Sequence, residues 1–166
     1  MKAIYPGSFD PVTSGHLDIL ERARSVFDEV VVAVAVNMEK EPLFSVEERV
    51  ALLREACGHL DNVQVDCFEG LTVDYAQQQG AKVLIRSLRA VSDFESELQM
   101  ALMNKRLNEN VETLFMMTSA EYSFLSSSLI KELAELGASI TGLVPKLVEE
   151  KLFERLRKKG REAKDK

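Results

Sequence analysis

The segment 5–16 reads YPGSFDPVTSGH and carries the residue types of a phosphate-binding turn. An apolar run precedes it and an amphipathic run, 17–23, follows it, which predicts a strand, a glycine-containing turn and a helix start. A helix N-terminus offers unpaired backbone N–H groups and the positive end of the helix dipole. Gly7 and Gly15 allow the backbone to approach a ligand closely. We therefore predict that this turn, with His16 in the first helical turn, is presented to a nucleotide.

Basic and hydroxyl side chains recur where the later predicted strands end. The cations are His16, Lys40, Arg86 and Arg89, and the hydroxyls are Ser8, Thr72, Ser87, Ser126, Ser127 and Ser128. Any one of them alone is more simply a surface or structural residue. Together, in an acidic chain, they predict a local anion site. The three serines also open a predicted helix, so they are either a helix cap or a second phosphate-binding helix start that faces the first.

Other kinds of chemistry lack their usual patterns. The sequence contains neither G-x-x-x-x-G-K-[ST] nor G-x-G-x-x-G, which disfavours a P-loop ATPase and a standard dinucleotide oxidoreductase. Cys57, Cys67 and His59 have no metal-ligand spacing, so we expect no metal held by protein ligands. No nucleophile–histidine–acid pattern stands out either. The sequence therefore favours charge stabilisation and positioning over covalent catalysis.

The predicted elements alternate between strand and helix. Strands are predicted at 3–5, 30–36, 63–67, 82–85 and 113–117, and helices at 15–27, 46–57, 73–79, 92–108, 126–136 and 145–159. Residues 86–91 are interpreted as a loop. Capping patterns at Ser45 and Ser92 mark two helix starts, and Thr72 is expected to open the short third helix. This order predicts an α/β fold with a doubly wound, five-stranded parallel sheet and helices on both faces, and its ligands bind beyond the carboxyl ends of the strands.

Composition limits the possible classes of protein. The 166 residues have 46% hydrophobic content and a formal net charge of −6, which disfavours nucleic-acid binding. No apolar run is long enough to span a membrane, and no signal-like segment opens the chain. We expect a cytoplasmic protein with one domain over 1–160 and a frayed tail over 161–166.

The predicted helix 92–108 has two apolar stripes. Phe94, Leu98, Ala101 and Leu102 form one, and Met100, Met103 and Leu107 form the other. Two stripes indicate burial beyond one core, so we hypothesise a subunit interface on this helix. The alternative is that the last helix covers the second stripe.

Four blocks of sequence resemble the bacterial phosphopantetheine adenylyltransferases, nucleotidyltransferases with a T/H-x-G-H signature. The blocks are GSFDP with TSGH (7–16), Lys40 ahead of Pro42, IRSLRAVSDFE (85–95) and EYSFLSSS (121–128). The resemblance implies a Rossmann-like fold, ATP and 4′-phosphopantetheine as substrates, and dephospho-coenzyme A and pyrophosphate as products. It further implies Mg²⁺ held mainly by the nucleotide, a homohexamer, and feedback inhibition by coenzyme A.

The resemblance also implies roles for individual residues. His16, Ser8 and Lys40 are the expected catalytic residues, and Ser8, Lys40, Thr72 and Arg86 are expected to bind phosphopantetheine. The expected ATP-binding residues are Ser8, Phe9, His16, Ser87, Leu88, Arg89, Glu97, Tyr122, Ser123, Phe124, Leu125, Ser126, Ser127 and Ser128.

This chain departs from the family pattern at three positions. Ser8 replaces the usual threonine, Ser87 a usual glycine and Thr72 a commonly apolar residue. The nearest alternative is a sister enzyme, either a nicotinamide-mononucleotide adenylyltransferase or a cytidylyltransferase. A non-catalytic nucleotide-binding module is a further alternative.

Overall fold

A computed structural model describes residues 1–36, 41–89 and 91–162, with the backbone alone for 91–93 and 161–162. The strands are β1 (Lys2–Gly7), β2 (Glu29–Ala35), β3 (Val63–Phe68), β4 (Val83–Leu88) and β5 (Glu112–Met117). The α-helices are α1 (Ser14–Ala23), α2 (Val46–Cys57), α3 (Thr72–Gln78), α4 (Val91–Leu107), α5 (Ser127–Glu135) and α6 (Lys146–Glu162), with a 3₁₀ turn at Ala120–Tyr122.

The five strands form one parallel sheet in the order β3-β2-β1-β4-β5. β1 is central, and the chain winds outward from it in both directions, so the predicted doubly wound parallel sheet is confirmed. In such a sheet the connections that leave the neighbouring strands β1 and β4 run to opposite sides, which opens a crevice at the carboxyl ends of these two strands. The turn after β1 and the end of β4 therefore lie side by side.

Alternate residues of the central strands face two separate apolar layers. Tyr5 and Val32 lie in the larger layer with residues of α1, α2, α5 and α6, whereas Ile4 and Val31 lie in a smaller layer with residues of α3. Because both faces are covered, β2 is apolar along most of its length rather than alternating. This burial holds the strand ends of the crevice in place.

Several predicted element boundaries were wrong. β4 continues to Leu88, so Arg86 and Ser87 belong to the strand rather than to a loop. Leu71, not Thr72, occupies the N-cap of α3, and no side chain caps that helix. α4 begins at Val91, one residue before the predicted start.

The last helix is longer than predicted. α6 continues to Glu162, two residues into the tail that was expected to fray, while 163–166 lie outside the described residues. Ion pairs from Glu154 to Lys151 and Lys158 at helical spacing favour the helix in this region. None of the described helices has the length and apolar character needed to cross a membrane.

The second stripe of α4 is not covered by the last helix, so that alternative was wrong. Val148 and Leu152 of α6 pack into the larger apolar layer, on the face that also carries α1 and α2. The members of the second stripe, Met100, Met103 and Leu107, are 54%, 53% and 51% exposed, and Leu102 of the first stripe and Met117 of neighbouring β5 are 64% and 59% exposed. α4 and β5 therefore expose several large apolar side chains to solvent.

Candidate active site

A cleft of about 360 Å³ lies at the carboxyl ends of β1 and β4, between the N-termini of α1 and α5. The structure brings together there most of the residues singled out from the sequence: Ser8, Phe9, His16, Arg86, Ser87, Arg89, Glu97, Tyr122, Leu125, Ser126, Ser127 and Ser128. Thr72, Leu88, Ser123 and Phe124 do not line it. Lys40 lies outside the described residues.

The turn after β1 has a tightly constrained backbone. Phe9 has a φ of +48°, a left-handed conformation that bulky side chains rarely adopt. A Cβ at Gly7 would lie 3.0 Å from the Phe9 ring, so only glycine fits without movement of that ring. The Phe9 ring in turn packs edge-on against His16, with 4.9 Å between ring centroids. The packing of the Phe9 ring against Gly7 and His16 therefore maintains the strained backbone conformation of Phe9 at the wall of the cleft.

His16 is oriented by the residue that caps its own helix. The backbone N–H of Thr13 donates to His16 Nδ1 at 3.0 Å, and the Thr13 hydroxyl lies 3.1 Å from the same nitrogen. A nitrogen that accepts a hydrogen bond carries no proton, so the neutral ring carries its proton on Nε2. Burial, and secondarily the charge of Arg89, lowers the pKa of His16 to about 4. His16 is therefore a neutral N–H donor, and counting it among the cations was wrong.

Asp10 joins three segments at one side of the cleft. Its carboxylate accepts hydrogen bonds from the backbone N–H groups of Leu43 and Phe44, both at 2.9 Å. It also forms an ion pair with Lys131 of α5 at 2.9 Å. Burial disfavours ionisation of Asp10, but the hydrogen bonds from Leu43 and Lys131 outweigh it and lower its pKa. The β1–α1 turn, the chain ahead of α2, and α5 are thereby held together.

Arg86 is locked by two acceptors. Its guanidinium forms a bidentate pair with Glu97 of α4, at 2.7 and 2.6 Å, and donates to the Pro6 carbonyl at 3.0 Å. The hydrogen bonds with Glu97 raise the pKa of Arg86 despite its burial. A guanidinium held in this way has a fixed direction, and its remaining N–H groups are available for an anionic ligand.

The serines at the start of α5 have two different roles. Ser126 is the N-cap, and its hydroxyl accepts from the Leu129 N–H at 3.0 Å. The Ser127 hydroxyl donates to the Pro11 carbonyl at 2.8 Å, which links α5 directly to the β1–α1 turn. Arg89 donates to the Leu125 carbonyl at 2.9 Å and so ties β4 to the same corner. The N-termini of α1 and α5 therefore face a common space, and the serines that cap and anchor α5 also line the cleft.

The cleft is also lined by six polar residues that had been given no site role from the sequence: Asp10, Thr13, Glu41, Arg49, Thr118 and Lys131. Arg49 carried a usable signal, because it lies on the apolar stripe of α2, three residues after Val46 and four before Leu53. A cation on a buried stripe is rarely there for packing alone. The partner of Lys131 is 121 residues away in the chain, so no local pattern indicates it.

The sequence is similar to those of known proteins over most of its length. Residues 4–133 match the model of the cytidylyltransferase-like family. A phosphopantetheine adenylyltransferase of Carboxydothermus hydrogenoformans is 56% identical over 158 residues, which is 95% of this chain and 98% of that protein. Another, from Clostridium novyi, is 60% identical over 143 residues, covering 86% of this chain and 89% of its own length.

The chain belongs to the phosphopantetheine adenylyltransferases, within the cytidylyltransferase-like family. It is therefore a nucleotidyltransferase enzyme of coenzyme A biosynthesis, and the resemblance inferred from its four sequence blocks is confirmed. The cleft has the properties expected of an enzyme that brings two phosphate-bearing substrates together, since its donors and cations converge from two helix starts and two strand ends.

Proposed function

We propose that this cleft transfers the adenylyl group of ATP to 4′-phosphopantetheine, giving dephospho-coenzyme A and pyrophosphate. The main support for the proposal is His16. Its neutral ring can donate a hydrogen bond from Nε2, and it lines the cleft together with Arg86, Arg89 and Lys131. Hydrogen-bond donors and cations suit this reaction, because two negatively charged phosphate groups must be brought together and negative charge then shifts to the leaving pyrophosphate.

In this mechanism no general base is required. The second pKa of a phosphate monoester is about 6, so the acceptor is mostly a dianion at neutral pH. Its oxygen attacks the α-phosphorus of ATP in line, and the bond from that phosphorus to the bridging oxygen of pyrophosphate breaks. Pyrophosphate leaves with the electron pair, and no covalent enzyme intermediate forms. His16 Nε2–H donates to the α-phosphate oxygens as negative charge shifts between them and the leaving group.

The substrates are assigned to opposite ends of the cleft. Arg86, fixed by Glu97, is placed to hold the phosphate of phosphopantetheine, together with Ser8, Lys40 and Thr72 in the roles implied by the resemblance. Arg89, Ser127 and the N-terminus of α5 restrain the pyrophosphate portion of ATP. Because Thr72 does not line the cleft, its contribution is proposed through the backbone at the start of α3.

Mg²⁺ is proposed to enter with the nucleotide. Three carboxylates line the described cleft. Asp10 is paired with Lys131 and Glu97 with Arg86, so neither fits as a ligand of a resident metal ion, and the third, Glu41, is a single carboxylate. When bound, Mg²⁺ would neutralise charge on the phosphates of ATP.

Assembly, regulation and localisation complete the proposal. The exposed apolar surface of α4 and β5 is proposed to be a subunit contact of a homohexamer. Coenzyme A shares its pantetheine portion with the product, so it is proposed to occupy the same cleft and inhibit. We also propose a cytoplasmic enzyme.

A substrate panel tests the reaction. Pyrophosphate release from ATP is measured with 4′-phosphopantetheine, nicotinamide mononucleotide and phosphocholine as acceptors, and from CTP with the same acceptors. We expect turnover with ATP and phosphopantetheine to exceed every other combination. Equal or faster turnover with nicotinamide mononucleotide, or with CTP, would assign the cleft to a sister enzyme instead.

His16→Ala tests the role of the histidine. Loss of a donor aimed at developing charge is expected to lower kcat by about 100- to 1,000-fold, with a much smaller change in ATP affinity. Affinity is measured by titration calorimetry with ATP and Mg²⁺. Leu136→Ala, on the exposed end of α5, is the control and should leave both values unchanged. A variant that keeps wild-type turnover would contradict the mechanism.

A further inference from the structure

Arg49 is a buried cation on the wall of the cleft. The residue is 4% exposed and is the fourth residue of α2. Its guanidinium donates to the Ser8 carbonyl at 2.8 Å and, at 3.4 Å, to the Ser45 carbonyl. Both acceptors are uncharged backbone oxygens, so neither hydrogen bond balances the positive charge of Arg49.

The described side chains provide no carboxylate within ion-pair distance of Arg49. Glu48 pairs with Arg155 of α6, and Asp10 pairs with Lys131. The Glu47 carboxylate interacts with the charge of Arg49, but it is exposed to solvent and lies beyond ion-pair distance. A buried charge that lacks a counter-charge destabilises a fold. Since Arg49 lines the cleft, an anionic ligand in the cleft would supply that counter-charge.

The carbonyl that Arg49 holds belongs to the Ser8–Phe9 peptide unit. This peptide bond is trans, so its N–H points away from its C=O, and anchoring the Ser8 oxygen also fixes the direction of the Phe9 N–H. No acceptor among the described residues contacts that N–H. The positive φ of Phe9 is a strained conformation that needs such an anchor.

We propose that Arg49 is a positioning residue of adenylyl transfer: it aims the Phe9 N–H at a phosphate of the bound nucleotide, and that nucleotide balances its buried charge. The inference rests on the proposed function, because it requires a phosphate to occupy the cleft beside the β1–α1 turn. A purely structural Arg49 would instead serve only to fasten α2 to the turn, and its loss would affect the ligand-free fold first.

Arg49→Met separates the two roles, because methionine fills much of the space of the arginine stem and removes the charge. The control is Arg54→Met, an exposed cation in the last turn of the same helix. We measure the thermal midpoint with and without ATP and Mg²⁺, and kcat/KM for ATP. Relative to the control, Arg49→Met is expected to lose most of the ATP-induced rise in midpoint and to lower kcat/KM by about 100-fold. Retention of the full ATP-induced rise would overturn the proposal.

Arg49→Lys keeps the experiment decisive if the methionine variant does not fold. Lysine retains the charge but offers a compact ammonium in place of the planar fork that spans two carbonyls. It is expected to keep the ATP-induced rise and to lower kcat/KM by about 10-fold; a kcat/KM equal to that of Arg54→Met would contradict positioning. If wild-type protein and Arg54→Met both fail to form dephospho-coenzyme A, the proposed reaction is wrong, while the ATP-induced rise still tests Arg49.

Discussion

At the scale of single residues, the protonation state of His16 follows from its neighbours. The Thr13 N–H occupies Nδ1, and the charge of nearby Arg89 adds to burial in disfavouring the imidazolium. A neutral imidazole with its proton on Nε2 can donate to phosphate oxygens without first losing a proton. The capping box at the start of α1 therefore does two things, since it satisfies helix N–H groups and selects the tautomer of His16.

The low pKa of His16 predicts a pH-dependent stability. Its folded pKa of about 4 lies below the ordinary value of 6.5, so the unfolded chain binds a proton first as pH falls. The contribution of neutral His16 to the free energy of unfolding is complete above pH 6.5 and is lost as pH falls towards 4. Over that range the free energy of unfolding decreases by at most about 1.4 kcal/mol per pH unit on account of this residue. Urea unfolding of wild type and His16→Asn at pH 7, 5.5 and 4.5 checks this. The variant should show a shallower decline, and parallel profiles would contradict it.

At the scale of elements, the cleft is held by ties between segments far apart in the chain. Asp10 connects the β1–α1 turn to Leu43, Phe44 and α5. Arg155 of α6 lies over the Phe44 ring and donates to the Leu43 carbonyl at 2.8 Å. The stretch that leads into α2 is therefore fastened from both the turn and the last helix, which limits how far this side of the cleft can shift.

Lys131→Met is expected to weaken this tie. Asp10 is almost completely buried, so removing its cation leaves a carboxylate supported only by two backbone N–H groups. The free energy of unfolding should fall by about 2 kcal/mol, less than for a fully buried pair because Lys131 is partly exposed. Lys151→Met, which breaks an exposed ion pair with Glu154, should cost less than about 0.5 kcal/mol. Equal losses in urea unfolding would refute a special role for the Asp10 pair.

At the scale of the whole molecule, α4 and β5 expose large apolar side chains that the described part of the chain does not cover. Leu102, Met103 and Met117 are each more than half exposed, on an edge strand and the helix beside it. An edge strand flanked by apolar side chains favours association with another chain. Glu97 of α4 also pairs with Arg86 in the cleft, so a contact on this helix would connect assembly to the active site.

Leu102→Glu tests this surface. Sedimentation velocity of the wild type is expected to show an assembly larger than the 18.6 kDa monomer, and the variant should shift towards the monomer because a carboxylate is costly to bury. Leu136→Glu, at the exposed C-cap of α5, is the matched control and should leave the mass unchanged. A wild-type mass equal to the monomer at all concentrations would disprove the subunit contact.

Local signals explain how much was predictable. The apolar run of β2, the capping box at Ser45 and the serines before α5 are each read from a few neighbouring residues, and the structure places their elements as predicted. The end of β4 was misjudged because Arg86 and Ser87 are polar, and their strand conformation depends on pairing with Phe115 and Met116 of β5. Pairing between distant segments has no local signature.

By itself, the sequence determined the order of strands and helices, the parallel sheet and the edge at which the functional residues meet, because periodicity, capping and chain connectivity are local or topological properties. Only the tertiary structure decided that His16 is neutral, that Arg86 is paired with Glu97 and that the buried Arg49 donates to the Ser8 carbonyl. Protonation and charge balance depend on burial and on groups many residues away, so they exist only once the chain has folded.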